Sequence, residues 1–363
     1  SGVVKITPNS VAVLPFESSG GDPKDGWLIE GLSDELRDQL GQVPGLRIAA
    51  RSSSIAAREQ QLDASTISFR LGVANLVEGS MRRQGNRLRV SVQLIEGKTG
   101  LALWSETFER GPNELLSLQQ TIAREVVMRM LPDETPVLAE PATQDVNANE
   151  LLLLARHYDQ QVRGQQIVDE ETLLEAIRLY RAATEADPGS ALAHSRLAGA
   201  PLYLGDIQAA EASIFKALSA NPDLSEVQNT LGEFYWARGL PEARTAFARA
   251  VELNPNNVDA LNNYANQAIL SYNFVKSEAQ EFTQLYRRAL ELDPLSLSRH
   301  AALGEFLGQF GMTDQLPGVI EGVLQLFDSV PSLRLVSWLE ELRGNLDKAI
   351  AWAIRARDME PDN

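Results

Sequence analysis

The stretch from Asp187 to Pro255, DPGSALAHSRLAGAPLYLGDIQAAEASIFKALSANPDLSEVQNTLGEFYWARGLPEARTAFARAVELNP, decides the fold. A proline stands behind an acidic or amide residue at Asp187-Pro188, Asn221-Pro222 and Asn254-Pro255, in steps of 34 and 33 residues. That spacing is the period of a helix–turn–helix repeat that stacks into a solenoid. The proline ends the second helix of each repeat, because it lacks an N–H and disfavours helical geometry in the residue before it. Stacked helical hairpins offer a long concave surface and bring no chemistry of their own.

Working outward, the mark returns at Asp293-Pro294 and Glu360-Pro361. Small and large residues fall where two helices need them. In the unit from Ser225 these are Leu231, Gly232 and Tyr235, then Ala243, Phe247 and Ala250. Small residues let the helices approach, and large ones fill the space beside them. About six hairpins are expected over residues 149–363. The step from Pro255 to Pro294 is 39 residues, which implies an insertion near Ser271–Lys276. The next, to Pro331, is 37, and Pro317 and Gly318 predict an irregular second helix there. No polar capping helix closes the last hairpin, so an open apolar face is expected at that end.

Upstream, residues 3–131 alternate between strand and helix patterns. Ser10–Phe16 is a short apolar run read as a buried strand, and a helix follows over Gly26–Gln42, with Leu28, Leu32, Leu36 and Leu40 on one stripe. Gly45–Ala50 reads as a second strand, and residues 66–71 as a helix capped by Ser65 and ended by Gly72. A strand from Ala74, a turn at Gln84–Arg87, and Leu88, Val90, Val92 and Leu94 on one face mark a hairpin. Leu101–Phe108 follows, then a helix to Met130 with Asn113 as N-cap. The predicted order is βαβαβββα, a small α+β domain. Residues 132–148 carry three prolines and no period, and read as a linker.

The segments SVAVLPFES, GLSDELRDQLGQVPGLRIAARSSS, LGVANLVEGSMRRQGNRLRVSVQLIEGKTGLALWSETFER and LQQTIARE resemble the TolB-like N-terminal domain, over about residues 9–131. The C-terminal half resembles tetratricopeptide repeats. The TolB-like module occurs beside such repeats in membrane-bound bacterial regulators. The resemblance implies a cytoplasmic output domain elsewhere in the protein, either a winged-helix domain of the CadC/OmpR type or a class III adenylate cyclase. It also implies a transmembrane helix between the two and, by analogy, a periplasmic setting, with a cytoplasmic one as the alternative. Neither output is present in this sequence.

Composition narrows the chemistry. The chain has 363 residues, no cysteine and a net charge of −16, with 44% hydrophobic and 23% charged residues. Disulfides and thiolate metal sites are excluded. No apolar run approaches the roughly 20 residues that span a bilayer. Ser1-Gly2 reads as an expression remnant. Residues 1–131 balance 15 basic against 15 acidic side chains, so residues 132–363 carry the whole excess. An acidic solenoid repels phosphate backbones, so no direct nucleic-acid binding is expected of this fragment.

Candidate sites were weighed residue by residue. Ser18, Ser19, Gly20, Gly21 and Asp22 lie between a strand and a helix, where phosphate-cradling loops sit, but they lack the P-loop lysine. A plain turn and a small-ligand loop both fit. His157, His194 and His300 fall in different repeats without ligand-spaced neighbours, and no metal site or cofactor is expected. Glu170-Glu171 and Glu340-Glu341 point to different helix faces, and no serine stands in a nucleophile elbow. Arg82, Arg83, Arg87 and Arg89 either protect a sheet face or dock onto an acidic surface, the chain's own solenoid included.

The repeat groove is the best site. Its concave first-helix positions are expected to be Glu226, Asn229, Glu233 and Trp236, then Asp259, Asn262 and Asn266, then Glu305. In repeats that clamp a peptide's C-terminal carboxylate, basic residues occupy such places; here they are acidic or amide. Asparagine both donates and accepts to an extended backbone, and Trp236 offers an apolar platform. The expectation is a non-enzymatic sensory or scaffolding module that binds protein or peptide partners, itself included. Two alternatives stay open: a nucleotide or metabolite sensor acting through the 17–25 loop, and the regulatory region of a cyclase.

Overall fold

The computed structural model describes residues 5–20, 25–85, 87–111, 114–132, 138, 141–163, 169–270 and 278–360. It shows a mixed-sheet α+β domain followed by a solenoid of helical hairpins. The first part contains β1 (Thr7–Val13), β2 (Glu17–Ser18), α1 (Gly26–Gly41), β3 (Arg47–Ile48), α2 (Arg51–Glu59) and α3 (Ala64–Leu71). It continues with β4 (Val73–Gln84), β5 (Arg87–Glu96), β6 (Leu101–Arg110) and α4 (Leu115–Met130). The strand order is β3-β1-β4-β5-β6, with β2 extending the β1 side along β4. Pairs β1/β3 and β1/β4 are parallel, and the β4–β5–β6 meander is antiparallel.

Helices cover both faces of the sheet. On one face, Leu28, Leu32, Leu36 and Leu40 of α1 and Leu118, Ile122 and Val126 of α4 meet Val11, Val13, Val90 and Val92. On the other, Ala57 of α2 and Ile67 and Leu71 of α3 meet Ala12, Leu14 and Leu76. Three elements differ from expectation. Strand β2 stands where a loop is expected, α2 where no helix is expected, and α3 is capped by Asp63, which accepts from the Ser65 and Thr66 amides at 3.0 Å each, instead of by Ser65. Gly72 ends α3 at φ 64°, a left-handed geometry that suits glycine. The expected caps at Asn113 and turn at Asn86 lie outside the described residues.

The second part is six helix pairs among the described residues. They are α5 (Val146–Val162) with α6 (Glu170–Ala186), α7 (Ala191–Tyr203) with α8 (Ile207–Ala220), and α9 (Ser225–Ala237) with α10 (Glu242–Leu253). Then come α11 (Val258–Leu270) with α12 (Ala279–Leu292), α13 (Leu297–Gln309) with α14 (Leu316–Leu326), and α15 (Val330–Leu342) with α16 (Leu346–Met359). Close approach within a pair needs missing side chains: a Cβ on Gly232 would stand 2.5 Å from Phe247. Helix α14 is regular, because Pro317 sits in its first turn, where no amide partner is lost. Pro331 likewise opens α15 and does not close the hairpin before it, correcting its reading as a repeat end. The insertion expected near Ser271–Lys276 lies outside the described residues. Helix α16 leaves Leu346, Ile350 and Ile354 exposed.

The two parts are docked along several seams. Helix α1 lies on α5, where Gly31 makes room for Leu153: a Cβ there would be 3.1 Å from its Cδ2. Leu153 joins the α+β core. At the far seam, the Ala50 amide donates to the Leu292 carbonyl at 2.7 Å, and Arg47 donates to that of Glu291. Ser52 and Ser53 donate to the Asp293 carboxylate at 2.7 and 2.6 Å, and the Leu295 amide donates to Ser53 Oγ at 2.9 Å. Leu295 and Leu326 bury against the α3 side of the sheet, and Arg70 donates to the Leu326 carbonyl.

Candidate functional site

Between these seams a cavity of about 550 Å³ remains. One wall is the C-terminal half of α1 and the β3–α2 junction, with Arg37, Asp38, Ala50 and Arg51. The other is the concave side of the first helices of four hairpins, with Arg156 and Gln160 from α5, Arg196 from α7, Glu226, Asn229 and Glu233 from α9, and Asp259 from α11.

Asp34 is the electrostatic centre of the seam behind this cavity. Burial pushes its carboxyl up, but Arg156, Arg37 and Arg51 outweigh burial and hold it well below the usual carboxylate range. Arg51 contacts it at 2.9 Å and Arg156 at 3.6 Å, and Gln160 donates to it at 3.0 Å. Arg156 also binds Asp38 at 2.6 Å. Burial opposes its charge, yet Asp38 and Asp34 keep the guanidinium above its ordinary value. Next to it, His157 Nδ1 lies 2.6 Å from Glu30. Asn256 donates across the seam to the carbonyls of Gly41 at 2.9 Å and Leu46 at 2.8 Å.

The far wall behaves differently. Burial pushes the Glu226 carboxyl up, and Asp38 pushes it further. Glu233 is raised by burial against the opposing pull of Arg163. Its Oε1 accepts from Asn229 at 2.9 Å and Asn263 at 3.1 Å. Arg163 pairs with Asp159 at 2.9 Å and lies over the Tyr203 ring at 5.2 Å.

Of the groove positions named from sequence, Glu226, Asn229, Glu233 and Asp259 come together in the cavity wall. Trp236 lines a smaller neighbouring pocket of about 280 Å³ with Tyr203 and Leu202, sharing Arg163 and Glu233 with the first. Asn262 is half-buried and outside the lining. Asn266 instead accepts from the Tyr286 hydroxyl at 2.8 Å, and Glu305 is exposed on α13. Ser18 pairs beside Met81 on β4, the Ser19 amide donates to the Met81 carbonyl at 3.0 Å, and Gly20 follows at φ 86°. None of these three lines either cavity; Gly21 and Asp22 lie outside the described residues. His194 and His300 each hold a repeat turn, with Nε2 3.0 Å from the Pro188 and Pro294 carbonyls. Arg83 pairs with Asp25 and Arg87 and Arg89 approach Glu109, all inside the α+β domain.

Sequence reasoning missed Arg156, Gln160, Arg196, Asn256 and Asn263. The repeat period supplies equivalent positions, but Asn263 leans back toward α9 from one residue beyond the equivalent of Asn229. Asn256 belongs to a repeat turn, and no pattern marks a turn amide that bonds to backbone of another domain.

Comparisons with known proteins follow the same division. Residues 7–125 match the family described as the HilA/YgeH-like transcriptional regulator, second domain. A curated relative, "Putative adenylate cyclase 3" of Rhizobium meliloti (strain 1021), is 34% identical over 194 residues, which is 52% of this chain and 32% of that protein. The chain thus spans about a third of the length of that relative. Among solved structures, Pseudomonas aeruginosa PilF aligns with TM-score 0.45 at 19% identity, over 60% of this chain and 94% of its own. PilW, described as a type IV pilus biogenesis factor, aligns with TM-score 0.46 at 20% identity, over 60% and 94%. The N-terminal domain is therefore similar to a domain of transcriptional regulators. The stacked helical hairpins, by their own geometry, form a tetratricopeptide-like solenoid.

Proposed function

We propose that this chain is the non-catalytic sensory and scaffolding part of a bacterial signalling protein. The observation that carries this reading is the seating of the α+β domain against the concave side of the hairpins, with one cavity walled by both. In a tetratricopeptide-like solenoid the concave side is where a partner docks, and here the protein's own domain occupies much of it. A protein or peptide partner, or a ligand in the cavity, changes the stability of that contact and so the state passed to an attached output domain. The similarity to a regulator domain favours transcription as the output. The membrane-anchored CadC kind, with this part in the periplasm, is proposed from the sequence resemblance alone.

The test is in the source bacterium. Ser53→Ala with Asp293→Ala removes the side-chain hydrogen bonds of Ser52, Ser53 and Asp293 at the far seam and leaves those of Ala50, Arg47 and Arg70 to carbonyls. The double variant should change the set of transcripts under the protein's control while its cellular level stays as in wild type. Unchanged transcripts and unchanged cyclic AMP would remove the regulatory reading.

A second reading has its own observation, the similarity to a putative adenylate cyclase. In that case the same variant alters cyclic AMP first, and transcripts follow only through it.

A further inference from the structure

The charges facing the interdomain cavity are not all used. Arg51 and Arg156 are engaged by Glu30, Asp34 and Asp38, Arg163 by Asp159, and Arg299 by Asp293 and Asp259. Arg196, half-buried in the wall from α7, has no hydrogen-bond or ion-pair partner among the described residues. On α9, Glu226 feels its charge without pairing with it, and Glu226 Oε2 is buried without a partner.

Two further acceptors in the wall are also unpartnered: Gln160 Oε1 and Asn256 Oδ1. Both amides are fixed in orientation, since the nitrogen of Gln160 donates to Asp34 and that of Asn256 to two carbonyls of the α+β domain. A buried acceptor left without a donor is destabilising, so a ligand that supplies donors is favoured there. The unmet inventory on the lining residues is therefore the Arg196 cation, two buried guanidinium N–H groups (Arg37 Nε and Arg156 Nε) and three acceptors, one of them a carboxylate. A volume of about 550 Å³ suits a small molecule.

We propose that this cavity binds a small zwitterion, an α-amino acid or a short peptide, whose carboxylate pairs with Arg196 and whose ammonium is received by Glu226 with the Gln160 and Asn256 oxygens. An ammonium brings three donors to three acceptors, and a carboxylate brings the acceptor that the guanidinium lacks. Because Gln160 and Asn256 reach the ligand with one atom and the α+β domain with the other, occupancy tightens the seam. The inference rests on the reading of the two domains as one regulatory unit, and names the chemistry of its input.

The experiment uses the whole chain. Its melting temperature and calorimetric binding are measured against millimolar L-alanine, L-leucine, Ala-Ala and Ala-Ala-Ala, with acetate and methylamine as single-charge controls. A ligand of the native state raises the melting temperature. At least one zwitterion should do so while acetate and methylamine do not, and whether alanine or the peptides act tells free amino acid from peptide. Arg196→Gln and Glu226→Gln should each weaken binding by about tenfold or more, with each variant's shift read against its own unliganded melting temperature. The proposal is overturned if no zwitterion shifts melting, if either control matches them, or if both variants bind as wild type does. Ser53→Ala with Asp293→Ala separates the two levels. If that variant splits unfolding into two transitions while no zwitterion binds, the ligand inference falls and the docked unit stands. If the wild type itself already unfolds in two transitions, the docked unit falls.

Discussion

At the scale of the residue, close packing within the hairpins is set by what glycine leaves out. Gly232 faces the Phe247 ring across its hairpin, and the added Cβ of alanine would be 2.5 Å from it. Phe247 is fully buried in the pair, so it has little room to retreat. Overpacking of this kind costs about 1–3 kcal/mol, against a helix-propensity gain of about 1 kcal/mol. Gly232→Ala should therefore destabilise by about 1 kcal/mol, read as a lower urea midpoint. Gly318, in α14, is the matched control: nothing lies within 4 Å of its would-be Cβ. Gly318→Ala should stabilise by up to about 1 kcal/mol. Equal midpoints for the two variants would contradict this account of the packing. Gly232 was legible in the sequence because the small position recurs at the repeat period. Asn263 was not, because the period names equivalent positions and is silent on which neighbour leans across to the helix before.

At the scale of the element, α2 shows where pattern reading stops. Its sequence, RSSSIAARE, has three consecutive serines, which compete for backbone hydrogen bonds and favour caps over helix interiors. Its N-cap is Ala50, with no side-chain cap bond. The helix forms because the solenoid holds its first turn: Ala50 donates to Leu292, and Ser52 and Ser53 donate to Asp293. The serines that argue against a helix in isolation are the groups that secure it. Asp293 is buried and also pairs with Arg299 at 2.7 Å. Asp293→Ala takes from Arg299 its closer partner, leaving Asp259 at 3.4 Å, and strands both hydroxyls, and should cost about 3 kcal/mol. Its local signature is sharper than its global one. In native-state hydrogen exchange the amides of α2 should lose protection in the variant before those of α1, whose contacts to α5 are untouched. Uniform loss across both helices would show that α2 does not depend on the α12–α13 turn. By contrast α1, with four leucines on one stripe, was legible because its partners are apolar and its period is helical.

At the scale of the whole molecule, the two folds were readable separately and their union was not. Arginines of the β4–β5 hairpin were the sequence's own candidates for docking onto the acidic solenoid, yet those with partners pair inside their domain. The seams run instead through Arg156 with Asp34 and Asp38, through Ser52 and Ser53 with Asp293, and through backbone carbonyls of Gly41, Leu46, Glu291, Leu292 and Leu326, groups that every residue carries and no sequence pattern displays. Docking has an electrostatic consequence that the separate parts lack, since it buries carboxylates of both signs of shift. Asp34 is held below its ordinary value by arginines, so its contribution to stability is present above the usual carboxylate range and is lost as pH falls through and below it. Glu233 is raised by burial, so the folded state favours its proton more than the unfolded chain does. Its contribution is then fully present below the usual glutamate pKa, and is lost as pH rises through the raised folded value. Glu233→Gln keeps an oxygen for Asn229 and Asn263 and removes the buried charge. The variant should be more stable than wild type at about pH 8, and the advantage should shrink as pH falls to about 5. His300, lowered by burial, is common to both proteins and cancels in the difference. Chemical denaturation of the pair at the two pH values measures the effect, and an advantage that stays constant with pH, or grows on acidification, would mean that the glutamate is solvated and the groove open.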